Sequence, residues 1–394
     1  MRRYSLYISL AVFAAPSFSA GFQLNAQSAS GLGRAFAGDA IIADDASIVA
    51  KNSAGMSLIE KPTFSVGGIL IDSQVDISDA SYTPISGSTQ NIEDFNLDSS
   101  TFVPNVHFVL PMEDSPWTFG ATVHSNFGTD VRFPSDFVAT EFGGTTALTS
   151  VNFGVSAAYQ LTPQWSVGFG LDAVYGEGEI YRAGLLTIDS DGIEFGFNTG
   201  LAYVVNEDHR FGLSYRYSPE MNTEGDMAMT GVPASSLNVP LPDIVEFSGH
   251  HQLTTELAFH YSLQWVNWSE FDALTSNEYS TPVKEYRWKD AGHLSLGATY
   301  VLSPEWTVRG GYMYDASPVD TLTSLSIPDT NRHWYSMGAS YQMASDHRID
   351  VGVSYILGQE TSVNESLTTV ASSHIESVVG ATAWLVGIQY NHTF

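Results

Sequence analysis

Of 394 residues, 15 are basic and 43 acidic, a formal charge of −28 at neutral pH, and none is cysteine. That balance argues against nucleic acid as a partner, because phosphates need a basic surface. Without cysteine the chain has neither a disulfide framework nor thiolate metal ligands, so its stability comes from the fold itself.

The chain opens as an export address. Arg2 and Arg3 give a charged start, Leu6 to Ala15 an apolar middle, and Ser17-Phe18-Ser19 a small-x-small site before Ala20, so residues 1–19 read as a removed signal peptide. The apolar run is well short of the roughly 20 residues that a membrane-spanning helix needs. Residues 20–61, with "AGDAIIADDASIVAKNSAGM" at 37–56, set Gly31, Gly33, Gly38 and Gly55 among Ala and Ser. They carry more Ile, Leu and Phe than a disordered tail would.

From residue 62 the pattern changes to a two-residue repeat. Trp165, Val167, Phe169, Leu171, Ala173 and Tyr175 alternate with Ser166, Gly168, Gly170, Asp172 and Val174, as in a strand with one apolar face. Fourteen such segments occur, at 62–71, 100–110, 116–126, 150–161, 164–175, 192–205, 209–217, 243–251, 254–265, 292–302, 306–314, 333–343, 347–357 and 383–394. Short connections such as "LTPQW", "VNEDH" and "LSPEW" alternate with long polar ones at 72–99, 127–149, 176–191, 218–242, 266–291, 315–332 and 358–382. An even strand count, tight turns on one side and long loops on the other predict an all-β fold, a fourteen-stranded antiparallel transmembrane barrel over 62–394.

Trp117, Tyr159, Trp165, Tyr300, Trp306 and Tyr341 fall at segment ends near the short turns, where an interfacial girdle belongs. The opposite faces are rich in small residues (Gly154, Ser156, Gly168, Gly170, Gly196, Gly200), which leaves interior room. The N-terminal segment, 20–61, is therefore expected to fold into the bore as a plug.

Three places carry candidate function. In the third segment Trp117, Phe119, Ala121 and Val123 alternate cleanly until His124-Ser125-Asn126-Phe127-Gly128 interrupts them, either as an ordinary bend or as an opening. "AGLLTI", with Leu185 and Leu186, and a second loop with Met221, Met227, Met229 and Leu237 are unusually apolar for exposed connections. Methionine suits a groove that accepts several chain shapes. With few basic residues, any Arg or Lys near the lumen is a candidate partner for a carboxylate, against the commoner role of a solvated or ion-paired charge.

Enzyme chemistry finds no support. Gly168-x-Gly170-x-x-Ala173 formally fits a dinucleotide fingerprint but lies inside a strand with no helix after it. Neither G-x-S-x-G nor H-E-x-x-H occurs. His250 and His251 are adjacent and point to opposite faces, and "DSDGIE" at 189–194 lacks a full calcium ligand set. No catalytic residue, metal or cofactor is expected.

The segments "AGFQLNAQSASGLGRAFAGDAIIADDASIVAKNSAGM" (20–56), "SNFGTDVRF" (125–133), "FGGTTALTSVNFGVSAAYQLTPQWSVGFGLDAVY" (142–175), "SIPDTNRHW" (326–334) and "AWLVGIQYNHTF" (383–394) resemble the FadL family of outer-membrane transporters of long-chain fatty acids and other hydrophobic compounds. The resemblance covers essentially the whole mature chain. It implies a fourteen-stranded barrel, an N-terminal hatch, and sideways release of cargo into the bilayer at a kinked third strand. Ser125, Asn126, Phe127 and Gly128 then become gate residues. By the same resemblance Arg182 and Lys284 receive a head group, Asp315 holds a cation in position, and Phe22 reaches from the hatch toward the pocket. The hatch reads Asn52-Ser53-Ala54 where many family members have Asn-Pro-Ala, and losing proline is expected to loosen it.

Expected partners are a long-chain fatty acid or another hydrophobic small molecule, outer-membrane lipids and lipopolysaccharide, and the barrel-assembly machinery through the terminal Phe394. The expected location is the bacterial outer membrane. Aromatic hydrocarbons or alkanes are the alternative cargo. A structural or adhesive barrel and an outer-membrane lipid hydrolase stay open as other classes.

Overall fold

A strand turns successive side chains to opposite faces, and each alternating run of the sequence becomes one stave of a closed wall. The computed structural model describes residues 21–368 and 372–394, so the expected signal peptide, 1–19, lies outside the described residues. Fourteen antiparallel strands follow in chain order: β1 (Thr63–Thr83), β2 (Phe95–Pro111), β3 (Trp117–His124, then Gly128–Arg132), β4 (Thr145–Gln160), β5 (Trp165–Arg182), β6 (Leu186–Val204) and β7 (His209–Tyr217, then Glu220–Met229). The second half comprises β8 (Val232–Pro240, then Ile244–Gln252), β9 (Leu257–Val266), β10 (Ala291–Val301), β11 (Trp306–Asp315), β12 (Arg332–Ala344), β13 (His347–Gly358, then Thr361–Thr368) and β14 (Ser372–Thr393). Each strand pairs with the next, and β14 returns to β1 in a ladder from Thr63↔Thr393 to Thr83↔His374.

The wall is inside-out relative to a water-soluble fold. In β5, Trp165, Phe169 and Leu171 are 44, 52 and 56% exposed, whereas Ser166 and Asp172, one residue out of phase, are buried. An outward apolar band of this kind faces hydrocarbon. No helix among the described residues is long and apolar enough to cross a membrane, so crossing falls to the strands. Beside the short turns, Trp117–Tyr159, Trp165–Tyr203 and Trp306–Tyr341 form outward aromatic pairs with ring centroids 4.7, 4.3 and 4.8 Å apart.

The fourteen segments read from the sequence all fall on strands, but several long connections do not stay loops. Residues 72–83, 176–191, 220–240 and much of 358–382 continue the ladder beyond the apolar band. In these extensions Glu177, Glu179, Asp189 and Asp191 face outward in place of hydrophobic residues. The membrane no longer imposes an apolar face there, and the alternation that marks the rest of each strand disappears. Among the described residues, the longer outer connections that stay largely irregular are 84–94, 133–144, 267–290 and 316–331.

Residues 21–59 are almost wholly buried and include two one-turn helices, α1 (Ala29–Leu32) and α2 (Ile48–Lys51), and a 3₁₀ turn, Ser53–Leu58. The segment touches strands all around the wall. A Cβ on Gly168 of β5 would lie 2.2 Å from Ala54 N, and one on Gly311 of β11 2.2 Å from Arg34, so the small inward residues serve close backbone approach. Buried and half-buried ion pairs fix the same region. Arg34 meets Asp39 at 3.0 Å, Arg309 of β11 meets Asp44 at 3.0 Å, and Arg348 of β13 meets Asp45 at 3.4 Å.

Asn52 answers the missing proline. Its Oδ1 accepts from Ala54 N at 3.0 Å, while its Nδ2 donates to the carbonyls of Ala40 at 2.7 Å and Leu201 of β6 at 3.0 Å. The turn is closed by this cap rather than by a fixed φ, so the expected loosening is offset.

Candidate functional site

Two cavities lie along the inner surface. The outer one, ≈ 130 Å³, sits beneath the extension hairpins. Arg182, Leu185 and Leu186 line it from β5–β6, Met229 and Thr230 from β7–β8, and Val283, Lys284 and Tyr286 from the 267–290 connection. Five of the eight substrate residues expected from sequence, Arg182, Leu185, Leu186, Met229 and Lys284, are thus brought together.

The two cations differ. Arg182 Nη1 donates to the carbonyls of Thr145 at 2.5 Å and Tyr181 at 2.8 Å, and Nη2 donates to Thr146 Oγ1 at 2.5 Å. No carboxylate among the described residues lies within ion-pairing distance of it. Burial draws its pKa below the ordinary value, with Tyr286 and Glu365 opposing, yet a guanidinium stays charged at neutral pH. Lys284, by contrast, is ion-paired with Glu365. The other Glu365 oxygen accepts from Leu325 N at 2.9 Å. Burial holds the Tyr286 hydroxyl in its protonated form, above its ordinary pKa.

The inner cavity is smaller, ≈ 30 Å³, and is walled by Phe22, Phe127, Leu148, Met221, Leu237, Val239 and Leu241. Behind it Phe22 is ringed by aromatic side chains, with centroids 4.8 Å from Trp268, 4.9 Å from Phe271 and 5.9 Å from Phe127. One continuous apolar cluster holds Phe22, Phe127, Met221, Met227, Leu237, Trp268, Phe271 and Tyr286, and Leu186 and Val283 pack against it. It joins the surroundings of both cavities. Met227 belongs to this cluster rather than to the outer lining.

Beside the inner cavity the wall is unzipped. The β2–β3 ladder runs only from Pro111↔Thr118 to Val106↔Val123, whereas β3 stays paired with β4 through His124↔Asn152 and again from Gly128↔Thr149 to Arg132↔Thr145. Above Val106, β2 keeps β1 alone as a ladder neighbour. A cavity of ≈ 60 Å³ lies between the separated stretches, lined by Leu97, Asp98 and Ser99 of β2 and Asp130, Val131 and Arg132 of β3.

The tip of the N-terminal segment stitches this seam. Leu24 N donates to Asn126 O at 2.7 Å and Gly128 N to Phe22 O at 2.9 Å, pairing Gln23 with Phe127. Gln27 Nε2 reaches Ser125 O and Asn126 Oδ1, both at 3.1 Å. On the β2 side Asn105 Nδ2 donates to Ala26 O at 3.0 Å, and His107 Nε2 lies 2.9 Å from Gln27 O. Ser125, Asn126, Phe127 and Gly128 therefore meet the N-terminal segment directly, while Asn52, Ser53 and Ala54 hold its base against β5 and β6.

Asp315 lies elsewhere. It is buried at the outer end of β11, in register with His293 of β10 and Arg332 of β12, and lines neither cavity. The sequence reading also missed Tyr286, Glu365 and the Trp268–Phe271–Trp288 cluster. The signal for the aromatics was present, since 266–291 holds Trp268, Phe271, Tyr279, Tyr286 and Trp288 in a connection otherwise polar.

Residues 10–394 match the profile of a family described as outer membrane protein transport protein (OMPP1/FadL/TodX). The chain belongs to the FadL family. A long-chain fatty acid transport protein of Escherichia coli O6:H1 (strain CFT073) is 35% identical, the match covering 99% of this chain and 98% of that one. Outer membrane protein P1 of Haemophilus influenzae Rd is 33% identical over 95% of each chain. Among solved structures, a Pseudomonas aeruginosa FadL homologue superposes with a TM-score of 0.87 at 18% identity, covering 95% of this chain and 100% of that chain. The Ralstonia pickettii toluene transporter TbuX gives 0.67 at 18% identity, over 93% and 98% of the two chains. This FadL-family protein is a multi-pass barrel of the bacterial outer membrane, and its family is one of transporters rather than enzymes.

Proposed function

We propose that the protein carries long-chain fatty acids passively across the outer membrane. Cargo is captured beneath the apolar hairpins, its carboxylate is received by Arg182, and its tail leaves sideways through the β2–β3 seam once the hatch tip has moved. One observation carries this reading: a buried guanidinium with no carboxylate partner among the described residues lines an otherwise largely apolar cavity. A cation held ready in an apolar pocket suits an amphiphile with an anionic head. Relatives named long-chain fatty acid transport proteins support the same cargo.

Lateral release also follows from solvation. Moving an acyl chain from an apolar cavity into lipid avoids re-exposing about 0.8 kcal/mol per methylene to water. Residues 20–61 act as the hatch, lipopolysaccharide surrounds the outer leaflet, and Phe394 closes the strand offered to the assembly machinery.

A second reading, uptake of uncharged hydrocarbons, is favoured by the Lys284–Glu365 pair, which offsets one of the two cations. Uptake of oleate and of toluene by cells carrying wild type or Arg182→Ala separates the two. Loss of oleate uptake alone supports fatty-acid transport. Equal loss of both, or of neither, removes head-group recognition.

A further inference from the structure

The outer half of β13, Thr361–Thr368, turns Val363, Glu365 and Leu367 to the same inward face. Val363 is buried in an apolar cluster and Leu367 packs against it and lines the outer cavity. Between them stands one carboxylate, 7% exposed, which takes Lys284 as its counter-ion. A buried anion placed between two apolar residues is kept only where a cation meets it.

Its position matters for cargo. Lys284 is a lining residue of the cavity, and a fatty-acid head group approaching it finds the ammonium already engaged by Glu365. Glu141 is the lining's own carboxylate, with its Oε1 accepting from the Tyr82 hydroxyl at 2.7 Å. The two cations of the lining are matched by Glu141 within it and by Glu365 beside Lys284, so an entering anion meets no overall attraction and must compete for its partners.

We infer that Glu365 is a resident competitor for Lys284, an internal stand-in for the cargo carboxylate that sets the cavity's preference between anionic and uncharged hydrophobic molecules. This rests on the reading of the outer cavity as the cargo site. While Glu365 holds Lys284, Arg182 alone receives a head group; when Glu365 yields, both cations face the cargo. The strand that carries Glu365 is able to yield, because among the described residues its ladder is with β14 only, while Thr323 Oγ1 and Leu325 N hold it from the 316–331 connection.

Glu365→Gln tests this directly. The amide keeps an acceptor for Leu325 N but removes the charge that occupies Lys284. Affinities of the purified full-length protein in detergent micelles are measured for oleate and for oleyl alcohol, which share a chain and differ in head-group charge. The expected result is oleate binding about tenfold tighter in Glu365→Gln, the effect of one charge-assisted contact, with oleyl alcohol unchanged. Adding Lys284→Met to Glu365→Gln is expected to abolish the gain.

Unchanged oleate affinity in Glu365→Gln, or an equal change for both probes, overturns the inference. A gain that survives Lys284→Met overturns it too, because the gain would then not come from Lys284. Heat-modifiable gel migration verifies that each barrel is folded, and Glu365→Ala supplies a second variant with the same expected direction. Arg182→Ala, measured alongside, keeps the two failures apart. If it weakens oleate selectively while Glu365→Gln is silent, only the role of Glu365 falls; if it leaves oleate intact, the outer cavity is not the head-group site and both fall.

Discussion

The outer and inner cavities differ in both charge and size. The outer one, ≈ 130 Å³, combines Arg182, Lys284 and Glu141 with Leu185, Leu186 and Met229; the inner one, ≈ 30 Å³, is lined chiefly by Phe22, Phe127 and aliphatic residues and has no basic side chain. A ligand pocket for a drug-sized molecule needs about 300–1,000 Å³, so neither space holds a long acyl chain in this conformation. The contrast separates two tasks. Under the proposed function the outer space, with its basic groups, tells one head group from another, whereas the inner space, which has no basic side chain, is enlarged by moving its wall. Phe22, at the tip of the N-terminal segment, is the part of that wall not carried by a stave.

Welding the tip to the seam gives the largest expected effect. Gln23 and Phe127 form a non-hydrogen-bonded antiparallel pair, flanked by the Leu24–Asn126 and Gly128–Phe22 bonds. Such pairs have Cα atoms about 4.5 Å apart, within disulfide range. The chain has no native cysteine to interfere. Gln23→Cys with Phe127→Cys is expected to reduce uptake to background when oxidised and to restore it on reduction, while oleate still binds the outer cavity. Full uptake by the oxidised protein would break the division between the cavities.

Phe22→Ala is next. Removing a ring that is 1% exposed costs about 3–5 kcal/mol at its site. The loss is expected in the tip rather than the barrel. Hydrogen exchange reads it as faster exchange at Leu24 and Gly128, whose amides tie tip to seam, with amides of the β14–β1 ladder unchanged.

Arg182→Ala follows, with oleate binding weakened roughly 10–100-fold, the range of one charge-assisted bond to a carboxylate. Oleyl alcohol is expected to bind as before. A matched loss for both would mean that the outer cavity sorts cargo by shape as well. The smallest effect is expected from Ser53→Pro. Asn52 is already extended before it, at φ −147° and ψ 107°, and position 53 begins the 3₁₀ turn, where proline is tolerated. Thermal denaturation is expected to show stabilisation by about 0.4–1 kcal/mol through the unfolded state. Destabilisation would show that the Ser53 backbone donor is needed.

Legibility in the sequence tracks the solvent each region meets. Lipid demands an apolar residue at every second position, and so Trp165, Phe169 and Leu171 announced β5 without any alignment. The strand extensions meet water and so lose that signature; Asp189 and Asp191 look like loop residues although they are paired with Glu179 and Glu177. Arg182 and Lys284 were recognised as cavity residues through the family resemblance. Glu365 was not, because "VNESL" gives no local hint that its carboxylate will meet a lysine 81 positions away. Asp315, carried over by the same resemblance, lines neither cavity, since position at the edge of a long connection does not fix which space a side chain faces. The seam itself left a local mark, the interruption at 124–128, but its partner at Phe22–Gln27 is joined to it by contacts about a hundred residues apart.

The anchors at the base of the N-terminal segment constrain how the molecule is built. Asp44 and Asp45, among the earliest residues made, are held by Arg309 and Arg348 on strands in the last third of the chain. Closing loops of such length makes these contacts unfavourable until most of the chain is in place. The cork is therefore not shaped in advance and then wrapped. It sets only as the final staves arrive, so that maturation of the bore and completion of the cylinder are one event.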